Sequence, residues 1–305
     1  MPDQGKVVLT VPFGEGEQEI ALKQARPSPA EFFGPTGFTV SDTGEIYIVN
    51  YGILKVFKDN ALQSVLQYSP IDAVHPYVPV LMFHDLALHD GVLYLANTYK
   101  NRVYTVVSGE VTALALGYMD YLRDFHFTRA GKLVINAPYN APQQVQITRN
   151  GQTSEVTVIR SDNPYHEDSN GNQIRYSYSS VFRQSIFEKL TPDGKVLDFV
   201  ALDINYEYNW NIIGTDQQGR VYIDTFDYNY WFNQNPDRKR FLIRLDIDKK
   251  ELLLQQVNDR GNVNGDALLT GSIFHDPEVD ANGNVYLAFG SVEDGLKIVK
   301  YSFEN

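Results

Sequence analysis

The chain has 305 residues, 43% of them hydrophobic, 13% aromatic and 21% charged, with a net charge of −12 and no cysteine. This is the composition of a folded protein with room for one large domain or two ordinary ones, not of a disordered chain. The missing cysteine excludes disulfides, cysteine nucleophiles and thiolate metal sites. The acidic balance, with no basic run longer than Asp237–Arg240, argues against nucleic acid and anionic membranes as partners.

The first residues, "MPDQGKVVLTVPFG", lack the pattern of a secretory leader and contain a strand-like run at Lys6–Phe13. Proline-broken linkers follow at Pro27–Phe33 and Ala73–Phe83. The most apolar linker stretch, Val78–Phe83, is far too short to span a membrane, so no membrane insertion is expected.

Five phrases then repeat along the chain: "GFTVSDTGEIYIVN" (Gly37–Asn50), "DLALHDGVLYLAN" (Asp85–Asn97), "DFHFTRAGKLVIN" (Asp124–Asn136), "IIGTDQQGRVYIDT" (Ile212–Thr225) and "DPEVDANGNVYLAF" (Asp276–Phe289). Each has a short strand-like run, a polar turn ending in glycine, and a stronger strand-like run. That is a β-hairpin, strands A and B of a repeated unit. Second hairpins, strands C and D, are read at Ile53–Tyr68, Arg102–Leu116, Ser185–Val200 and Phe241–Val257. Four antiparallel strands per repeat predict a propeller blade.

The turn glycines Gly44, Gly91, Gly131, Gly219 and Gly283 stand 47, 40, 88 and 64 residues apart. The gap of 88 spans two repeats and places a degraded A–B region at Asn172–Val181. The reading is an all-β, six-bladed β-propeller in one domain over residues 1–305, with repeats starting near 37, 85, 124, 172, 211 and 276. Residues 1–36 supply a closing strand and linker. Five blades with a large insertion is the alternative. Leu296–Phe303 gives the last repeat a C strand but no D, and the N-terminal strand is expected to complete that blade and remove both open edges; a loose N-terminal arm is the other possibility.

Residues at the start of strand A should gather at one mouth of the central channel, where propeller ligands sit. The candidates are His84, Asp85, Arg123, Asp124, Asn211, His275 and Asp276, with Asp85, Asp124 and Asp276 at one register. Converging imidazoles and carboxylates suit a divalent cation in the channel, Ca²⁺ through oxygens or Zn²⁺ through His84 and His275, or general acid–base work. The bland reading is that each Asp accepts backbone N–H bonds where its blade begins. Asp168, Asn170 and Asn172 have calcium-loop spacing, but the twelfth position is Ser179 rather than Glu, so a solvated loop is the better reading. A second candidate is the aromatic pair of stretches Asn205–Asn211 and Thr225–Asn235. Tyr208, Trp210, Tyr228, Tyr230 and Trp231 in them suit a sugar or peptide surface.

Pro35, Gly37, Gly44, Asn50, Asn97, Asn101 and Arg102 match a pattern that resembles the NHL-type six-bladed propeller repeat. The resemblance implies the fold. It leaves function open, since that family holds protein binders, glycan-associated proteins, lyases and lactonases. Gluconolactonase-type enzymes have an early Glu-Gly-Pro where this chain has Phe33-Gly34-Pro35, with Glu31 displaced. NHL-type amidating lyases use three zinc-bound His, and the strand-A register here offers two. The expected function is therefore a non-enzymatic binding or scaffold propeller for a protein or glycan partner, with no catalytic residue assigned. A metal-dependent lyase or lactonase, and an architectural subunit of a surface layer or filament, are the alternatives. Family habit implies an extracytoplasmic protein with its leader removed, with the cytoplasm left open; the oligomeric state is not readable.

Overall fold

The structure, a computed structural model, describes residues 5–21, 23–24, 32–33, 35–50, 52–67, 85–97, 102–107, 110–115, 124–137, 140–147, 154–157, 166–203, 208–227, 240–257, 277–291 and 294–303. Among these residues every regular element is a strand. No helix there is long and apolar enough to cross a membrane.

After β1 (Lys6–Val11) and a small pair, β2 (Lys23–Gln24) and β3 (Phe32–Phe33), the strands fall into four-stranded antiparallel sheets. Sheet 1 is β4 (Gly37–Val40), β5 (Ile46–Asn50), β6 (Ile53–Lys58) and β7 (Ala61–Gln67). Sheet 2 is β8 (Asp85–His89), β9 (Val92–Asn97), β10 (Arg102–Val107) and β11 (Glu110–Ala115). Sheet 3 is β12 (Asp124–Phe127), β13 (Leu133–Ala137), β14 (Asn140–Ile147) and β15 (Ser154–Thr157). Sheet 4 is β16 (His166–Glu167), β17 (Gln173–Ser179), β18 (Gln184–Leu190) and β19 (Val196–Leu202). Sheet 5 is β20 (Tyr208–Thr215), β21 (Val221–Asp227), β22 (Arg240–Asp246) and β23 (Glu251–Val257). Sheet 6 is β24 (Glu278–Val279), β25 (Asn284–Ser291) and β26 (Gly295–Ser302), with β1 hydrogen-bonded to β26 as its outer strand.

The turns explain why these residues form hairpins. In sheets 1, 3, 4, 5 and 6 the first turn residue (Ser41, Thr128, Asp168, Asp216 or Asp280) is followed three places on by a glycine at positive φ. The glycine N–H bonds back to the carbonyl of that first residue, closing a tight loop. The side-chain oxygen of the first residue also accepts the backbone N–H four places on: Ser41 from Glu45, Thr128 from Lys132, and Asp168, Asp216 and Asp280 from Asn172, Arg220 and Asn284. Sheet 2 uses a two-residue loop instead. Asp90 and Gly91 both have positive φ, the geometry that matches strand twist.

Sheet 4 departs from the sequence expectation. Its repeat starts at His166, not near 172, and Gly171 is its turn glycine. Its first strand is two residues long, too short to be read by alternation. The calcium-like spacing of Asp168, Asn170 and Asn172 is this hairpin turn. Asp168 Oδ1 accepts both asparagine N–H groups and its Oδ2 accepts Asn172 Nδ2, with Lys189 Nζ at 3.3 Å.

Core clusters lie between successive sheets. Leu9 and Val11 of β1, with Ile298, pack on Phe38 and Ile48 of sheet 1. Val49 and Leu54 pack on Leu86 and Leu95 of sheet 2. Ile174 and Phe187 of sheet 4 meet Ile223 and Ile243 of sheet 5, and Tyr222 and Leu242 of sheet 5 meet Val285 and Tyr301 of sheet 6. The first strands are neighbours as well: β4 touches β8, β8 touches β12, β16 touches β20, and β20 touches β24. Four-stranded antiparallel sheets stacked face to face, first strand innermost, are β-propeller architecture.

Candidate functional site: the cavity at the A–B turns

A cavity of about 850 Å³ opens where the first strands of the sheets end and turn back. Every sheet contributes to its wall: Ser41, His89, His126, Glu167, Thr215 and Glu278 are one lining residue from each. Because the inner strands run side by side, a position repeated in sequence becomes a position repeated around this rim.

Arg129, in the turn of sheet 3, crosses the rim. Its Nε donates to Thr215 O at 2.5 Å in sheet 5, and its Nη2 donates to Val279 O at 2.6 Å in sheet 6. Its own N–H reaches Glu167 O in sheet 4. Burial pushes its pKa below the usual guanidinium range, and the carboxylates Glu278, Asp280, Asp42 and Asp216 pull it back up. One residue thus ties four sheets together through main-chain carbonyls and its own N–H.

Glu167 is buried and fully engaged. Thr128 Oγ1 donates to its Oε2 at 3.1 Å and Lys132 Nζ to its Oε1 at 2.6 Å. Thr215 Oγ1 donates to its carbonyl. Two ring stacks line the seams of sheet 3. His126 lies 4.6 Å from His166, rings 13° apart, against sheet 4. Phe127 lies 4.4 Å from His89, 10° apart, against sheet 2. Buried Asp216 accepts Tyr222 Oη at 2.9 Å, and Asp280 accepts Tyr286 Oη at 3.2 Å. Among the described residues no group of three or more His, Asp or Glu is placed to hold a metal ion.

The strand-start candidates occupy the other end of the first strands. Asp85 and Asp124 open β8 and β12, which touch, so these two share one end of the sheet stack. Asp85 is buried, and its Oδ1 accepts the N–H of Leu86 at 2.7 Å. Asn211 lies within β20, opposite Asp224. His84, Arg123, His275 and Asp276 lie outside the described residues, so the expected Ca²⁺ or Zn²⁺ set is described only in part. Of the aromatic candidates, Tyr208 opens β20 opposite Asp227. Trp210 packs between sheets 4 and 5, 5.6 Å from Phe187 and 6.4 Å from Tyr176, with its indole N–H buried. Tyr228, Tyr230 and Trp231 lie outside the described residues.

Sequence reasoning misses the A–B cavity, although a signal for it is present. It is an Asp, Ser or Thr, then two residues, then Gly, with Tyr six places after the first position at Tyr47, Tyr222 and Tyr286. Taken along the chain alone, those turn residues explain hairpin closure and nothing more.

No protein-family model matches the chain, and no curated protein matches it. Similar solved structures include a catalytically inactive virginiamycin B lyase from Staphylococcus aureus with quinupristin, at 12% identity over 94% of this chain and 100% of that one, TM-score 0.47. YCF48 bound to D1 peptide matches at 12% identity over 89% and 78% of the two chains, TM-score 0.49. The WD40 β-propeller domain of Doa1 matches at 12% over 88% and 93%, TM-score 0.44.

Proposed function

We propose that the six sheets are the blades of one ring, closed by β1, and that the protein is a non-enzymatic binding propeller. It takes a polar segment of a protein or glycan partner into the cavity at the A–B turns. The observation that carries this reading is the state of two ionisable groups in the cavity wall, Arg129 and Glu167. The volume is that of a ligand site, yet Arg129 and Glu167 are already tied to main chain or to neighbouring side chains. A general acid or base must be within reach of substrate and free to exchange its proton. These groups instead fix the shape of a rigid, hydrogen-bonding wall.

Tyr208, Tyr228, Tyr230 and Trp231 are proposed as a second binding surface, on the strength of their sequence alone, in an extracytoplasmic protein. The test is a glycan array and a peptide array probed with the parent, a Thr43→Trp variant that fills the cavity rim, and a Trp231→Ala variant. Binding lost in Thr43→Trp alone, at unchanged melting temperature, assigns it to the cavity. Binding lost only in Trp231→Ala assigns it to the aromatic surface. A stoichiometric metal by elemental analysis, together with turnover of a lactone or another lyase substrate, overturns the non-enzymatic reading in favour of the metal-dependent enzyme.

A further inference from the structure

The outermost strand of sheet 4 has unusual side chains for an edge. Among the described residues β19 is bonded to β18 alone, and Val196, Leu197 and Phe199 on it are 44%, 52% and 55% exposed. A bare apolar edge is a template for another strand. Phe199 stands opposite Glu188, and both of its main-chain groups are bonded on the side away from β18. Its N–H donates to Asp198 Oδ1 at 2.8 Å, and its carbonyl accepts from Lys250 Nζ at 2.7 Å. Lys250 comes from the β22–β23 turn of sheet 5, also pairs with Asp198, and sits 5.9 Å from the Phe199 ring centroid. Two charged side chains thus occupy the main-chain positions that an added strand would bond. Their side chains are 48% and 38% exposed, open enough to water that the ion pair is weak and can be displaced.

The sequence of this edge is self-complementary. It reads Lys195-Val-Leu-Asp-Phe-Val-Ala-Leu-Asp203. Two copies paired antiparallel about Phe199 set Lys195 against Asp203 twice, once at each end, and Val196 against Leu202 between them. Lys195 and Asp203 are both exposed. The outer strands β1, β7 and β23 carry no such opposite charges at their two ends.

We propose that the occupant of this edge is a second copy of the chain. Two molecules join β19 to β19 about a twofold axis through Phe199, making one continuous sheet from two, and Lys250 competes for the same main-chain groups. This interface is isologous, so each contact occurs twice. It is independent of the cavity.

Sedimentation velocity over a concentration series tests it on the full chain. The parent is expected to show a monomer–dimer equilibrium, shifted several-fold toward dimer by Lys250→Ala. Lys195→Asp places two acids against each other at both ends and weakens the dimer about tenfold. The double variant Lys195→Asp, Asp203→Lys restores it, because both pairs are re-formed with the signs exchanged. Ala201→Pro removes an N–H on the outward side, two residues from Phe199, and gives monomer with an unchanged strand spectrum. If that variant does not fold, the charge series decides alone. Parent and Lys250→Ala that are monomeric throughout overturn the proposal, and so does a dimer indifferent to Lys195→Asp.

Discussion

Single residues set the chemistry of the turn rim, and Tyr222 shows how. Its hydroxyl is buried and donates to Asp216, itself fully buried. Burial, then the neighbouring carboxylate, push its pKa well above the ordinary value, and Tyr286 beside Asp280 is shifted the same way for the same reasons. The stability these groups contribute is present in full below about pH 10, where folded and unfolded chains both hold the proton. Above that, the unfolded chain releases protons that the folded chain keeps, so stability falls as pH rises. Lys55 acts in the opposite sense. Burial lowers its pKa against the opposing pull of the Glu17 and Glu19 carboxylates, while the carbonyls of Gly16, Glu17 and Glu19 accept its N–H groups. It therefore contributes rising stability as pH approaches its unfolded value. Tyr47 and Tyr94, also pushed up by burial, act with these two tyrosines, and together they outweigh Lys55 and leave a net alkaline loss. Tyr222→Phe should cost about 1 kcal/mol at neutral pH and flatten the decline above pH ~10. Urea unfolding of parent and variant across neutral to alkaline pH measures both, and parallel curves would remove Tyr222 from the explanation.

At the scale of the element, β1 completes one sheet and packs on the next. Leu9 and Val11 are fully buried between sheets 6 and 1. Leu9→Ala should cost about 2–5 kcal/mol, as a buried leucine deletion does. Thr10→Ala, an exposed neighbour on the same strand, should cost well under ~1 kcal/mol. Urea midpoints of the two variants separate a packed strand from a loose arm. Much of this level is legible in the sequence. Alternation and turn glycines announce the hairpins of sheets 1, 2, 3, 5 and 6, because a left-handed turn position and a half-buried strand each leave a local signature. Sheet 4 is harder to read: β16 is as short as β24 of sheet 6, but its His166 and Glu167 are both polar and look like loop. The candidate site is less legible still. Asp85 and Asp124 open adjacent strands, while His84, Arg123, His275 and Asp276 of the same expected set lie outside the described residues. Arg129 is invisible as a site residue, since its partners, Thr215 and Val279, are main-chain carbonyls 86 and 150 residues away. No local pattern encodes a bond to a distant backbone.

For the molecule as a whole, the sheet that includes β1 has a history as well as a shape. Lys6 pairs with Lys300, so sheet 6 draws on both ends of the described chain. On the ribosome β1 emerges long before β26, and sheet 6 cannot exist until Gly295–Ser302 has left the exit tunnel. Until then Val7, Leu9 and Val11 have no strand beside them, and the first five sheets must fold with an apolar segment still waiting. Long-range pairing of this kind is slow and leaves sticky segments exposed during synthesis. A chain stopped after Ser291 should therefore be cut by protease within Lys6–Val11, while the full-length chain resists. Mapping the cleavage sites by mass spectrometry checks this, and equal resistance of the two chains would show that β1 finds shelter before its partner is made.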